Sequence, residues 1–139
     1  MIIISHRGNI NGADELTENN PENITNCIKR GLDVEIDVWH HDGSFYLGHD
    51  KPQYKINSDF LVNKKLWCHA KNIDALYQMN KNSNIHSFWH QQDDFTLTSR
   101  NFIWTYPGKP VTSQSIIVTN TPLQSSCYGI CTDYPFKFI

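Results

Sequence analysis

The sequence has no apolar run close to the ~18–20 residues a membrane helix needs. The opening Met1-Ile2-Ile3-Ile4-Ser5 is short, and His6-Arg7 ends it. It lacks the basic leader and long apolar stretch of a signal peptide, so it reads as a buried strand of a cytoplasmic protein. Excess positive charge is also missing. With 12 Lys and Arg against 14 Asp and Glu, the net charge of −2 excludes a broad basic field for nucleic acid or a membrane surface. A small cationic pocket for one phosphate is still allowed. No paired C-x-x-C occurs among cysteines 27, 68, 127 and 131, and no H-x-H occurs among the seven histidines. The first absence argues against a zinc knuckle. Without a secretion signal, a disulfide framework is not expected either, and the cysteines read as reduced, mostly buried small hydrophobes. Linkers, low-complexity tracts and internal repeats are absent as well. The 139 residues suit one domain, 1–139, with one core.

What is present is a series of short β-branched runs. Ile2–Ser5 reads as the first strand, followed by a polar loop over 9–20. Asn20 and Pro21 then suit the cap and first turn of a helix running to about Arg30, where Gly31 stops it. Asp33–Val38 is a strand, Asp42-Gly43 a turn, and Phe45–Leu47 a returning strand. A helical turn is expected within 58–65, a strand at Leu66–Ala70, and a helix from Ile73 to about Lys81. Four further strands are expected at His86–His90, Phe102–Thr105, Ser115–Thr119 and Tyr128–Thr132. Strands separated by crossover segments suggest a parallel α/β arrangement. Several links are too short for a full helix. The expected fold is therefore a compact, reduced TIM-barrel-like (β/α) domain with some helices shortened or replaced by loops. In such barrels working residues sit at the C-terminal ends of strands. His6, Lys71, His90, Thr105 and Asp133 hold such positions.

Three short segments carry chemistry. Val34, Ile36 and Val38 alternate with Glu35 and Asp37, so the two carboxylates share one strand face. Beside an apolar interior they would repel each other and resist desolvation. A hard divalent cation resolves both problems; a solvated strand face is the plainer explanation. His6-Arg7-Gly8 joins a proton carrier to a guanidinium that can fork onto phosphate oxygens and a glycine that permits close approach. Gly48-His49-Asp50 brings a second histidine after a turn, with Asp50 as a carboxylate able to orient it. Trp104, in Trp104-Thr105-Tyr106-Pro107-Gly108-Lys109, and His90 suit the wall of a barrel mouth, and Lys109 could meet an anion. Core packing is the other reading for these aromatics.

In order and spacing these segments resemble the glycerophosphodiester phosphodiesterase family, within the phospholipase C-like phosphodiesterases. The resemblance rests on His6-Arg7-Gly8, Pro21-Glu22-Asn23, Glu35-Ile36-Asp37 and His49-Asp50, and on the closing Gly129-Ile130-Cys131-Thr132-Asp133-Tyr134-Pro135. It covers residues 2–50 well. Ile24 replaces the family's usual threonine. Lys71 matches a family lysine, but His69 stands where a third metal-binding glutamate is usual.

The resemblance implies a hydrolase of small-molecule phosphodiesters, in lipid metabolism, using a divalent cation. Glu35, Asp37 and His69 would hold the metal. Mg²⁺ or Ca²⁺ would suit the carboxylates, and Mn²⁺ or Zn²⁺ would suit a site including His69. His6 and His49 would be the catalytic acid and base, and Arg7, Lys71 and Trp104 would bind substrate. Two rivals stand beside this. A non-catalytic phosphate or sugar-phosphate binding module would use the same scaffold but would not need two proton-transfer groups. A metal-dependent hydrolase of amides or carbonyl compounds would call for H-x-H ligands, which the sequence lacks.

Overall fold

The computed structural model describes residues 1–121 and 126–139. Ten strands and three helices follow one another in the order β1 Ile2–His6, α1 Pro21–Lys29, β2 Asp33–His41, β3 Ser44–Leu47, β4 Tyr54–Ile56, α2 Ser58–Leu61, β5 Leu66–Ala70, α3 Ile73–Asn80, β6 Ser87–Phe88, β7 Phe95–Leu97, β8 Ile103–Thr105, β9 Ser115–Val118 and β10 Gly129–Thr132. A 3₁₀ turn over Pro135–Lys137 comes last. No helix among the described residues is long and apolar enough to cross a membrane.

The expected reduced TIM-barrel-like fold does not form. The chain makes a curled, mixed β-sheet, a half-barrel with three short helices among the described residues. The path β6-β5-β2-β1-β10-β9-β8 is parallel, but β3 and β4 extend β2 as an antiparallel ribbon, and β7 runs antiparallel to β8. Strands β4 and β7 are absent from the sequence reading. Regular β/α alternation fails because the links are too short or too broken. Residues 106–114, between β8 and β9, contain Pro107, Gly108 and Pro110, which a helix interior does not tolerate.

Local chemistry explains the helices that do form. The Asn20 side chain accepts from Glu22 N at 2.9 Å, and Pro21 supplies a fixed φ at the first helical position. Ile24 and Cys27, three apart, point inward from α1. Gly31 leaves it at φ +91°, a conformation that suits glycine. Asn72 caps α3 by accepting from Ala75 N, and also bonds both backbone groups of His40. One side chain thus ties the start of α3 to the end of β2.

The sheet has two differently furnished faces. Val34, Ile36 and Val38 of β2 join Ile24, Cys27, Ala75 and Met79 in the core beneath the helices. The opposite, concave face carries Ile4, Trp67, Phe88, Trp104, Ile116 and Cys131. Register then sets the polar end of that face. His6 pairs with Glu35, and Asp37 with His69, so these four side chains share one side of three adjacent strands.

His86 shows what burial does at this interior. It is 4% exposed, lies 4.2 Å from the Trp67 ring, and bonds Thr98 Oγ1 at 2.7 Å. Burial, with Arg100 nearby, pushes its pKa down to about 4. The unfolded chain therefore binds this proton more readily than the folded one. Its stabilising effect is complete above pH ~6.5 and is lost as pH falls towards 4. In urea titrations from pH 7 to 4, the acid loss of stability in His86→Gln should be shallower than in the parent, by up to about 3 kcal/mol. Parallel pH curves would show that His86 is not buried neutral.

Candidate functional site

β1 delivers His6 to the rim of the concave face, and the chain then turns sharply. Arg7 has φ +57° and Asn19 φ +60°, both left-handed without being glycine. Such conformations cost roughly 1–2 kcal/mol each and need support. Here the two residues support each other: Asn19 N donates to Arg7 O at 2.9 Å, while Arg7 N donates to Glu35 O at 2.9 Å.

Glu35 and Asp37 are 2% and 1% exposed. Asp37 is heavily compensated. Its Oδ2 accepts from Asn19 Nδ2 at 2.9 Å and lies 3.2 Å from Arg7 Nε and 3.4 Å from His49 Nδ1. Its backbone N–H donates to Asn19 Oδ1 at 2.9 Å. Burial opposes ionisation of Asp37, yet His49, His69 and Arg7 outweigh it and hold its pKa well below the usual range. Two carboxylate oxygens remain without an aligned hydrogen bond, Glu35 Oε2 and Asp37 Oδ1. Buried acceptors in that state attract a cation.

His69 faces both carboxylates. Its Nδ1 lies 3.3 Å from Asp37 Oδ1 and 3.7 Å from Glu35 Oε1. Its Nε2 lies 2.7 Å from the His90 carbonyl oxygen, which can only accept, so Nε2 carries a hydrogen. Phe88 stacks on the ring at 5.1 Å and fixes its plane. A neutral His69 would therefore turn a lone pair towards two carboxylates, and either a proton or a metal ion must relieve that. Burial disfavours the imidazolium, but Asp37 and Glu35 outweigh it and push the pKa up to about 9. Donor atoms from Glu35, Asp37 and His69 all lie within 4.8 Å of one another. Two hard oxygens, one imidazole nitrogen and a second ring N–H anchored on a carbonyl fit a divalent ion.

The two outer histidines have contrasting partners. His6 Nδ1 donates to Asp133 Oδ1 at 2.9 Å, and its Nε2 lies 3.7 Å from Glu35 Oε2. Burial lowers its pKa, but Asp133 and Glu35 outweigh burial and leave it raised. Asp133, just past β10, is itself held by Asn9 at 2.9 Å and Asn120 at 3.0 Å. His49 Nε2 lies 3.4 Å from Arg7 Nη2, and a guanidinium has no lone pair to offer. His49 is placed by Gly48: a Cβ there would overlap the Lys51 carbonyl oxygen, and Gly48 N donates to Asp37 O at 3.1 Å.

His6, Arg7, Glu35, His49, His69, Lys71 and Trp104 line a single cavity of about 370 Å³, and Asp37 lies directly behind His49 and His69. A larger cleft, about 670 Å³, lies between the 8–17 loop and α1 and holds none of these groups, so size does not mark the chemistry.

Several sequence expectations fall elsewhere. Asp50 is exposed, 3.6 Å from His49 Nε2, and the buried carboxylate beside His49 is Asp37. Lys109 pairs with Asp94 at 3.4 Å. Thr105 alternates with Trp104 and turns its side chain from the cavity onto its own strand, bonding Ile103 O. Pro21-Glu22-Asn23 opens α1 with Glu22 exposed, while the Glu and Asn that reach the site are Glu18 and Asn19. Glu18 Oε2 accepts from Arg7 Nη1 at 2.8 Å. The signal for this pair was the doubled Glu-Asn in Thr17-Glu18-Asn19-Asn20-Pro21-Glu22-Asn23, of which only the copy beside proline matches the motif.

The two copies should behave differently on mutation. Asn19→Ala strands two buried groups of Asp37 and puts alanine at φ +60°, so it should lower unfolding free energy by about 2–4 kcal/mol. Glu22→Ala removes an exposed charge at a helix start and should cost less than about 1 kcal/mol. Urea denaturation of both variants measures this; equal losses would refute the assignment.

Comparison of the chain with known protein families, with curated proteins and with solved structures finds no match, so the functional reading rests on these residues and their geometry.

Proposed function

We propose that this protein is a metal-assisted phosphodiester hydrolase acting on a small-molecule diester by two-histidine acid/base catalysis. One observation carries the reading: two histidines, each beside a buried carboxylate, face the same cavity as Arg7 and Lys71. Free cysteines among the described residues support a cytoplasmic setting.

A divalent ion held by Glu35, Asp37 and His69 would supply a Lewis acid for a phosphate oxygen. Arg7 and Lys71 bind the phosphate and stabilise its growing charge. Arg7 is fixed for this by Glu18 and Asp37. His6, held through Nδ1 by Asp133, gives an Nε2 proton to the leaving alcohol oxygen. His49, on the other side of Arg7, removes the proton of the attacking water or hydroxyl. Water then adds to phosphorus, one alcohol departs, and a phosphomonoester remains.

A phosphate-binding module is the second reading, and His69 favours it in one respect. Its imidazolium at 3.3 and 3.7 Å can neutralise the carboxylates without a metal. Calorimetry with Mn²⁺ and Mg²⁺ separates the two. If the three residues are ligands, the metal must displace the Nδ1 proton. Affinity should then rise from pH 6 towards 9, with release of about one proton per ion. A pH-independent affinity would remove His69 from the ligand set.

Catalysis itself should show a bell-shaped pH–rate profile. His6→Ala and His49→Ala should each lower the rate by ~10²–10⁴-fold on a diester with an ordinary alcohol. A nitrophenol leaving group needs little protonation, so it should partly rescue His6→Ala and barely help His49→Ala. The reverse pattern would exchange the roles. A parent that binds phosphorylated ligands but cleaves no diester with any divalent ion would make the binding module the better reading.

A further inference from the structure

The charged half of the cavity accounts for a phosphate but not for what the phosphate carries. Beside His6, Arg7, His69 and Lys71, the cavity is lined by Trp104, Tyr106, Pro107 and Val118, with His90 and Gln91 the remaining polar residues. Trp104 is 4% exposed and packs at a tilt against Phe88 at 4.6 Å and Trp67 at 6.0 Å. Val118 ends β9, one strand over from Trp104, and their side chains share the concave face. Tyr106 is half exposed, and Pro107 follows it at the lip. Position explains the split. The parallel strands β1, β2 and β5 bring the ionisable groups, whereas β8 and β9 bring the apolar ones, so the curl of the sheet sets the two halves face to face.

We infer that this wall is the alcohol subsite, and that it takes an apolar alcohol, alkyl or aromatic, in preference to a polyol. The inference rests on the phosphodiesterase reading and names its substrate class. A polyol placed against Trp104, Pro107 and Val118 would exchange water for carbon on most of its hydroxyls, and His90 Nε2 is already bonded to Asp93 O at 2.8 Å. An alkyl or phenyl group removes its own surface and that of Tyr106 and Val118 from water. About 370 Å³ holds a phosphate and one compact group, so the preference should stop growing once the chain outruns the cavity.

The test pairs binding with turnover, so that failure of the subsite and failure of catalysis can be told apart. Binding of butyl phosphate, phenyl phosphate and glycerol phosphate is measured by calorimetry, and cleavage is measured on methyl diesters of the same three alcohols. Butyl and phenyl probes should bind at least about tenfold more tightly than the glycerol probe. Tyr106→Ala and Val118→Thr, both conservative for the fold, should each shrink that ratio by several-fold while leaving the affinity for inorganic phosphate unchanged. Trp104→Phe should shrink it less, because the wall keeps an aromatic ring. Tighter binding of apolar probes without any turnover supports the subsite and rejects the phosphodiesterase. Turnover with equal or better use of the glycerol diester overturns the subsite and leaves the phosphodiesterase standing. Equal binding of all three probes with no turnover rejects both.

Discussion

Two carboxylates sit on the concave face of β2 almost out of reach of water, and the surrounding structure is arranged around keeping them there. An isolated buried carboxylate is prohibitively costly to desolvate. Asp37 is tolerated because an amide, a guanidinium and two imidazoles converge on it. That requirement explains the left-handed turn at Arg7, the support from Asn19, and the tight passage at Gly48 that presents His49. The loop over 9–20 has no regular structure, but it does work that helices do elsewhere in the domain. Removing one compensating group would leave the others beside an uncompensated charge, so substitutions here should not add independently.

Burial also leaves the cluster in need of positive charge. His69 can hold a proton between the carboxylates, and under the proposed function it would give that proton up to a metal. Either occupant would face the same two oxygens. The neighbouring His6 gains from Glu35 and Asp133 together, whereas His49 has a cation at its edge.

The sequence made β2 legible because alternation over Asp33–Val38 is unambiguous, and Asn20-Pro21 announced the start of α1 through capping chemistry. Those features depend on neighbours within a few residues. The barrel-like architecture was misjudged because alternation of runs and gaps says nothing about whether a gap folds as a helix, a hairpin or a loop. Tyr54–Ile56 and Phe95–Leu97 were missed as strands because three residues carry too little periodicity. Asp133, Asn9 and Asn120 lie far apart in sequence and meet only through strand order, so their convergence on His6 could not be read locally. The doubled Glu-Asn shows the same limit. Both copies have the right composition, and only the geometry of the turn at Arg7 selects the first.

The order of the strands has a consequence for how the molecule comes into being. β1 lies between β2 and β10, so its neighbour on one side is made soon after it and its neighbour on the other side far later in the chain. During synthesis, β1, β2 and β5 can assemble while β10 is still to come, with the ionisable face already present and His6 lacking Asp133. Bringing such distant segments together is entropically expensive and slow, as for any topology dominated by non-local pairing. Until the late strand docks, the nascent chain carries an open sheet edge and a half-built charge cluster at the ribosome exit, which is when it is most open to mispairing with another chain.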